Sequence, residues 1–155
     1  MSIHLKRATL SDAEALHRMQ VTAFTPLLQR YNDFAISPAC ETLDRVREKL
    51  SQPQTRFYFI MLGHRAVGAI RAVLPADPSR RKVISPLFVL EAYRNRGIAQ
   101  QAIAELERRF GAEQWALDTI LEEPGNCHLY EKLGYRRTGS RRVNARMTIV
   151  DYEKG

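Results

Sequence analysis

The chain has 155 residues, 45% of them hydrophobic and 26% charged, which is typical of one globular domain with its own core. Its formal net charge of +7 is explained either by general solubility or by an anionic partner, namely a polyanionic cofactor, an anionic acceptor or nucleic acid. No apolar run approaches the roughly 20 residues that span a bilayer, and the amino terminus lacks the apolar stretch of a signal peptide. We therefore expect a cytoplasmic protein without a membrane partner.

The first third of the chain is predicted to contain one strand and two helices, at 3–8, 11–24 and 41–51. Ser11 and Glu14 have the spacing of a capping box at the start of the first helix. Pro26 is expected to end that helix, because proline lacks the N–H that the next turn requires. Residues 25–40 mix apolar and polar side chains without a clear period.

The rest of the chain is predicted to alternate between strands and helices. Strands are expected at 56–62, 65–74, 82–90, 114–121, 135–141 and 145–152, and helices at 98–110 and 126–133. The resulting order, βααβββαβαββ, indicates an α/β protein with a mixed sheet and helices on both faces. Neither repeats nor a shift in composition divides the chain, so residues 1–155 are expected to form a single domain.

The most informative stretch runs from Leu87 to Ala99, where a hydrophobic strand leads through a basic loop into a helix. The first N–H groups of a helix have no partner within it, and together with the helix dipole they bind anions. Gly97 permits close approach of the backbone, and Arg94 and Arg96 add positive charge. The loop has neither a Walker ending nor three glycines. It predicts a phosphate or pyrophosphate site, although an exposed basic turn is the simpler alternative.

This loop, Arg94-x-x-Gly97-x-Ala99, resembles the cofactor-binding loop of the GNAT superfamily of N-acetyltransferases, which is Arg/Gln-x-x-Gly-x-Gly/Ala after a strand. The segment from Asn126 to Tyr135, NCHLYEKLGY, resembles the LYEKLGF-type segment of the same family. One helix and one strand separate the two motifs, as the family requires. The resemblance extends over the whole order of elements and is strongest at 82–139. It implies a GNAT-like, largely antiparallel sheet of seven strands.

The resemblance implies that acetyl-CoA is the cofactor and that it lies between two splayed parallel strands, 82–90 and 114–121. Pro86 supports this, because a proline in a central strand marks a bulge or broken pairing. Asn126 could bind the pantetheine arm or only cap its helix, since the family position for such an asparagine is Glu123 here. The expected cofactor-binding residues are Phe88, Val89, Arg94, Asn95, Arg96, Gly97, Ile98, Ala99 and Asn126.

The reaction that the resemblance implies is direct attack of a neutral primary amine on the acetyl thioester in a ternary complex. The backbone N–H of Leu87 is expected to donate to the developing oxyanion. Tyr130 is the expected general acid, with a purely structural core aromatic as the alternative. Asp118, Glu122 and Glu123 are the nearest acidic candidates for a general base, and Glu122, which shares a strand face with Asp118, is the one selected. A solvated loop carboxylate and a water relay remain open for that role.

The acceptor is expected to be a small-molecule or peptide amine, in a pocket shaped by residues 25–40 and the turn at 140–145. A homodimer is compatible with the resemblance. A non-catalytic acyl-CoA sensor and a basic nucleic-acid-binding domain are the alternatives. The aromatic residues are not interleaved with the arginines, so no nucleic acid partner is expected. The four histidines and two cysteines show no metal-ligand spacing, so no metal is expected either.

Overall fold

The computed structural model describes residues 2–155, which form seven strands and four α-helices in the predicted order. The strands are β1 (His4–Arg7), β2 (Thr55–Leu62), β3 (Arg65–Val73), β4 (Lys82–Val89), β5 (Trp115–Ile120), β6 (Arg136–Asn144) and β7 (Met147–Lys154). The helices are α1 (Ala13–Tyr31), α2 (Leu43–Ser51), α3 (Ile98–Phe110) and α4 (Pro124–Lys132). The predicted sequence of elements is therefore confirmed.

The strands form one sheet in the order β1-β2-β3-β4-β5-β7-β6. Across residues 2–155, every neighbouring pair is antiparallel except β4 and β5, so the predicted mixed, largely antiparallel sheet is confirmed. β4 and β5 pair at only two positions, Lys82 with Trp115 and Val83 with Ala116. Beyond Val83 the two strands separate and leave a gap in the middle of the sheet.

Helices cover both faces of the sheet, as the sequence predicts. On one face, α1 and α2 bury Leu16 and Val46 against Phe57 and Ala69. On the other face, the apolar stripe of α3 packs on the sheet together with α4, and its members Ile98, Ala102, Ile103 and Leu106 are all at most 2% exposed. A stripe with the 3.6-residue period explains why this helix was predictable from sequence. The two packed faces fix β4 and β5 at the centre of the molecule.

The expectation that Pro26 ends the first helix is wrong. α1 continues for five residues beyond Pro26 and ends at Tyr31, with Asn32 in a left-handed conformation as its cap. Tyr31 is buried at 5% exposure, and its hydroxyl donates to the carboxylate of Glu123. This contact at the far end of the helix offsets the missing hydrogen bond of the proline.

The amino-terminal ends of α1 and α4 also differ from those predicted from the sequence. The Ser11–Glu14 capping box is not formed; Asp12 accepts a hydrogen bond from the N–H of Thr9 at 2.8 Å, before a short 3-10 turn leads into α1. This places the reciprocal contact two residues earlier than predicted. α4 begins at Pro124, two residues earlier than predicted, with the proline in the first turn where its missing N–H costs nothing.

Candidate active site

A bulge in β4 creates the gap between β4 and β5. Ile70 of β3 pairs with Leu87 and Ala72 pairs with Ile84, so Ser85 and Pro86 together face the single residue Arg71. The peptide bond between Ser85 and Pro86 is cis. Nε of Arg71 donates to the carbonyl oxygen of Ser85 at 2.5 Å. The prediction that Pro86 marks a bulge is therefore confirmed.

The register of β3 and β4 determines which backbone groups face the gap. The N–H of Leu90 donates to the carbonyl of Val67, and in an antiparallel ladder hydrogen-bonded pairs alternate with non-bonded ones. Leu87 and Val89 therefore direct their backbone groups away from β3, toward the side from which β5 has withdrawn. Phe88 differs, because its backbone faces β3 and its buried ring packs edge-on against Phe24 at 5.7 Å. The backbone of Phe88 is thus not brought to the gap.

The loop between β4 and α3 exposes backbone amides at the start of the helix. Asn95 and Gly97 have φ values of 62° and 75°, in the left-handed region that turns the chain sharply. A Cβ built on Gly97 would meet no atom of the described residues within 4 Å, so the space above this residue is open. Ile98 is buried and can offer only its N–H, whereas Ala99 is half-buried. The open amides and the dipole of α3 provide an anion site.

The two arginines of the loop have different environments. Arg94 donates from Nε to the carbonyl of Val89 at 2.8 Å and from Nη2 to the carbonyl of Ala23 at 3.1 Å. It therefore fastens the loop to β4 and α1. Arg96 lies over the ring of Tyr93, 5.6 Å from its centroid, and is exposed. Arg65, which sequence analysis missed, donates to the hydroxyl of Tyr93 at 2.9 Å and adds a third positive charge near the loop.

Tyr130 lies in a cluster of three buried tyrosines. Its ring is 6.1 Å from that of Tyr135 and 5.9 Å from that of Tyr152. Tyr135 donates to Glu107 at 3.0 Å and Tyr152 donates to Glu131 at 2.6 Å. The hydroxyl of Tyr130 makes no hydrogen bond with any residue in the described part of the chain. Of the three hydroxyl groups, this one is free to serve another partner.

Burial keeps Tyr130 protonated. Desolvation is the largest influence and raises the pKa of its hydroxyl well above its usual range, and the negative charge of Asp118 raises it further. A tyrosine in this state can donate a proton at neutral pH but cannot accept one. The influence of Asp118 also shows that its carboxylate lies within electrostatic reach of Tyr130.

A cavity of about 350 Å³ lies between β4, β5 and β7, where the two parallel strands separate. Ser85 and Asp118 both line it. Asp118 pairs with Asp151 across the strands β5 and β7, and Arg141 bridges the two carboxylates at 3.3 and 3.1 Å. An acidic side chain is therefore present at the gap, on the strand face opposite to buried Leu117.

The remaining predicted site residues lie at the far end of β5. Glu122 accepts from the N–H of Thr148 at 2.8 Å and lies 3.7 Å from Arg142, and it does not line the cavity at the gap. Backbone hydrogen bonding is the main reason that the pKa of this carboxyl is lowered. Asn126 is exposed within α4 and one helical turn before Tyr130. Because the helix begins at Pro124, Asn126 is not its cap, which rules out that alternative.

A second cavity, of about 250 Å³, lies on the other side of Ser85 and Pro86, between β4 and the connection from α1 to α2. Residues 34–38 form part of its wall. Charged and polar side chains also line it, namely Gln20, Glu41 and Lys49. Ser85 contributes to both cavities, so the bulge in β4 stands between them.

The family model described as "Acetyltransferase (GNAT) family" matches residues 14–135. The chain belongs to the GNAT acetyltransferase family. Acetyl-CoA is the cofactor of this family. The part of the chain that the family model matches includes β4, the basic loop, α3, β5 and α4, which are the elements that build the gap and the anion site.

Other GNAT proteins resemble this chain in sequence or structure. The uncharacterized N-acetyltransferase YdgE of Bacillus subtilis (strain 168) is 34% identical over 70 residues, which are 43% of this chain and 45% of YdgE, so the match spans less than half of that relative. An acetyltransferase from Thermus thermophilus has a TM-score of 0.73 at 21% identity, covering 98% of this chain and 96% of that one. The PaiA N-acetyltransferase from Thermoplasma acidophilum, solved with coenzyme A, has a TM-score of 0.73 at 15% identity and complete coverage of both chains.

The side chains and backbone of this GNAT protein fit its cofactor. The open amides at the start of α3 suit a pyrophosphate, and the edge of β4 that β5 leaves uncovered, with the backbone of Leu87 and the N–H of Val89, suits the amide groups of a pantetheine arm. In the segment 2–155, no group of three or more His, Cys, Asp or Glu side chains is arranged to hold a metal ion. None of the helices described for this chain is long and apolar enough to cross a membrane.

Proposed function

We propose that this protein transfers an acetyl group from acetyl-CoA to a primary amine by direct attack in a ternary complex. One observation carries the proposal. Where β4 and β5 separate, the backbone of Leu87 has no β5 partner and Asp118 lines the cavity, while α4, which packs on β5, carries the unpartnered hydroxyl of Tyr130; the open anion site lies at the end of the same β4 strand. These are a hydrogen-bond donor, a proton donor and a proton acceptor, which are the groups that acyl transfer to an amine requires.

The cofactor would be held by the loop amides at 97–99 and by the exposed guanidinium of Arg96, with the backbone of Leu87 and Val89 along its arm. Arg94 would act by positioning, since its guanidinium already holds the loop against β4 and α1. Bound acetyl-CoA supplies an activated acyl carbon and a thiolate leaving group whose thiol has a pKa of about 8.5.

An amine must be neutral to attack, so the site needs a group or a path that takes up its proton. Three carboxylates line the cavity, Asp118, Asp151 and Glu153, and of these Asp118 lies on β5, the strand that borders the gap, whereas Glu153 is paired with Arg81. Glu122 is engaged by Thr148 and Arg142 at the end of β5. We therefore assign proton uptake to Asp118 in preference to Glu122. The contact of Asp118 with Arg141 is half-exposed and weak enough to exchange.

Two other groups would stabilise the negative charge that develops first on the carbonyl oxygen and then on the departing sulfur. The N–H of Leu87 would donate to the carbonyl oxygen as negative charge develops there. The hydroxyl of Tyr130 would protonate the departing sulfur, since burial keeps it protonated and no carboxylate competes for its proton. The carboxylate and the hydroxyl thus have opposite roles on the two faces of the sheet.

The test is to incubate the protein with acetyl-CoA and a panel of primary amines, and to record free thiol together with the mass of the acetylated amine. We expect thiol release that depends on the amine and yields one acetylated product per thiol. Thiol release without an acetylated amine, or cofactor binding without turnover on any amine, would overturn the proposal.

A further inference from the structure

The second cavity contains a buried ammonium, that of Lys49, which is paired with one carboxylate. Lys49 is 8% exposed and its ammonium lies 2.6 Å from Glu41. Arg71, 9% exposed, lies behind this pair and does not line the cavity. The pKa of Lys49 is lowered, chiefly by burial and further by the charge of Arg71. Two buried cations therefore share one neighbouring carboxylate.

The donors of Lys49 are not exhausted by Glu41. An ammonium has three N–H groups, and within residues 2–155 Lys49 makes one hydrogen bond, to Glu41. The carboxylate of Glu41 also accepts from Nε2 of Gln20 at 3.1 Å. The other buried carboxylate nearby, Asp33, does not line the cavity. The cavity therefore presents free N–H donors on a buried ammonium.

The wall of the cavity also contains a buried acceptor without a partner and two exposed apolar side chains. Gln20 is fully buried and donates to the carbonyl of Pro38 at 2.9 Å, while its Oε1 has no hydrogen-bond partner in the described chain. A buried acceptor without a partner is costly, and a donor carried by a ligand would satisfy it. Phe34 and Ile36 at the rim are 65% and 50% exposed, which is unusual for large apolar side chains next to a cavity.

We propose that the acceptor is a primary amine that also carries a carboxylate and an apolar side chain, and that Lys49 binds this carboxylate. The inference rests on the proposed acetyl transfer, because it places the amine at Ser85 and Pro86, where the cavity meets the gap. Because one of the three N–H groups of Lys49 is bonded to Glu41, two remain to donate to the oxygens of a carboxylate. The exposed Phe34 and Ile36 would cover the apolar part of the acceptor.

The experiment uses matched acceptor pairs: L-alanine with ethylamine, L-leucine with isopentylamine, and L-phenylalanine with phenethylamine. Within a pair, the amino acid differs from the amine by the carboxylate. We measure kcat/KM by thiol release for the wild type and for Lys49→Met, and compare the amino acid to amine ratio between the two proteins. This double ratio cancels the intrinsic reactivity of each amine. Removal of Lys49 should lower the ratio roughly 10- to 100-fold, the scale of a hydrogen bond to a charged group.

Two further variants separate binding from folding defects. Lys49→Met leaves Glu41 without its cation, so the double variant Lys49→Met/Glu41→Gln, which removes both charges, is measured alongside it and should lose the preference in the same way. Lys6→Met, an exposed position on β1, serves as the control and should keep the wild-type ratio. A ratio that is unchanged in both Lys49 variants would overturn the inference.

A binding readout does not depend on turnover. Cys40 is exposed and lines the cavity, whereas Cys127 is buried. L-Leucine should slow alkylation of Cys40 by N-ethylmaleimide in the wild type and not in Lys49→Met, while isopentylamine should have a much smaller effect. If no amine releases thiol, the proposed activity fails and this measurement still decides the inference. Equal protection by L-leucine and isopentylamine would refute it.

Discussion

Asp118 and Tyr130 lie within electrostatic reach of each other from opposite faces of β5, and the charge of Asp118 adds to the effect of burial in raising the pKa of Tyr130. β5 pairs with β4 only as far as Ala116, so at Asp118 it has no partner strand on its β4 side. The proposed proton acceptor and the proposed proton donor are therefore on different elements, β5 and α4.

Asp118→Asn should reduce kcat/KM for an amine by roughly 10²-fold or more at neutral pH, the scale of a positioned base. The deficit should shrink as the pH rises, because solvent then removes the proton from the amine. Glu122→Gln should stay within about threefold of the wild type, since Glu122 lies away from the gap. The measurement is kcat/KM as a function of pH for both variants. A large loss of kcat/KM in Glu122→Gln together with a wild-type value in Asp118→Asn would identify Glu122 as the base instead.

Acetyl-CoA should stabilise the protein against thermal unfolding, because the open amides at the start of α3 bind its pyrophosphate only in the folded state. At about 100 times the dissociation constant the free energy of unfolding should rise by about 2.7 kcal/mol. Melting curves with and without saturating acetyl-CoA measure this. An unchanged melting temperature would contradict the assignment of the cofactor.

Gly97→Glu should weaken acetyl-CoA binding sharply while the fold persists. The new carboxylate would enter open space beside the phosphate site and repel it, and a side chain is disfavoured at a φ of 75°. Gly111→Glu is the matched control, since Gly111 also has a positive φ, of 96°, but lies at the other end of α3. Calorimetry should find near-normal affinity for Gly111→Glu; equal losses in both variants would mean that strain alone is responsible.

Much of the site was predictable because its chemistry is local in sequence. The strand, basic loop and helix from Leu87 to Ala99 follow one another without a break, so the anion site could be derived from helix ends alone. Pro86 indicated the bulge for an equally local reason, its missing N–H. Residues that act through distant contacts gave no such signal. Arg71 holds the carbonyl of Ser85, 14 positions away, and Lys49 reaches the site from α2.

The roles of individual loop residues also required the structure. Arg94 matched the loop motif, yet its guanidinium holds the backbone of Val89 and Ala23. The length of α1 depended on the contact of Tyr31 with Glu123, which lies 92 positions away in sequence. A local rule such as helix termination at proline fails where packing at the far end of the helix outweighs it.

Pro26→Ala should stabilise the protein. Alanine is about 3 kcal/mol more favourable than proline inside a helix, while the loss of proline's rigidity in the unfolded chain costs about 0.4–1 kcal/mol, so a net gain of about 2 kcal/mol is expected. Pro124→Ala provides the comparison, because Pro124 occupies the first turn of α4, where proline is suited, and this change should give no gain. Urea unfolding measures both; a destabilised Pro26→Ala would show that the ring itself contributes essential packing.

Tyr130→Phe should separate cofactor binding from chemistry. The change removes one hydroxyl that makes no hydrogen bond within residues 2–155 and keeps the ring that packs against Tyr135 and Tyr152. Stability and acetyl-CoA affinity should therefore be close to those of the wild type. If the hydroxyl protonates the departing thiolate, kcat should fall by roughly 10²-fold or more, because the lost interaction matters mainly as charge develops on sulfur.

Tyr135→Phe is the control for this variant, since it removes a neighbouring hydroxyl that donates to Glu107. It should lower the free energy of unfolding by about 1.5–3 kcal/mol, the range for a hydrogen bond to a charged group, with kcat within about threefold of the wild type. We thus expect opposite results for the two variants. Tyr130→Phe should lower kcat and leave the free energy of unfolding unchanged, whereas Tyr135→Phe should lower the free energy of unfolding and leave kcat nearly unchanged. A fully active Tyr130→Phe with intact cofactor binding would leave Tyr130 as a core residue, and the proton would then have to reach the thiolate from solvent.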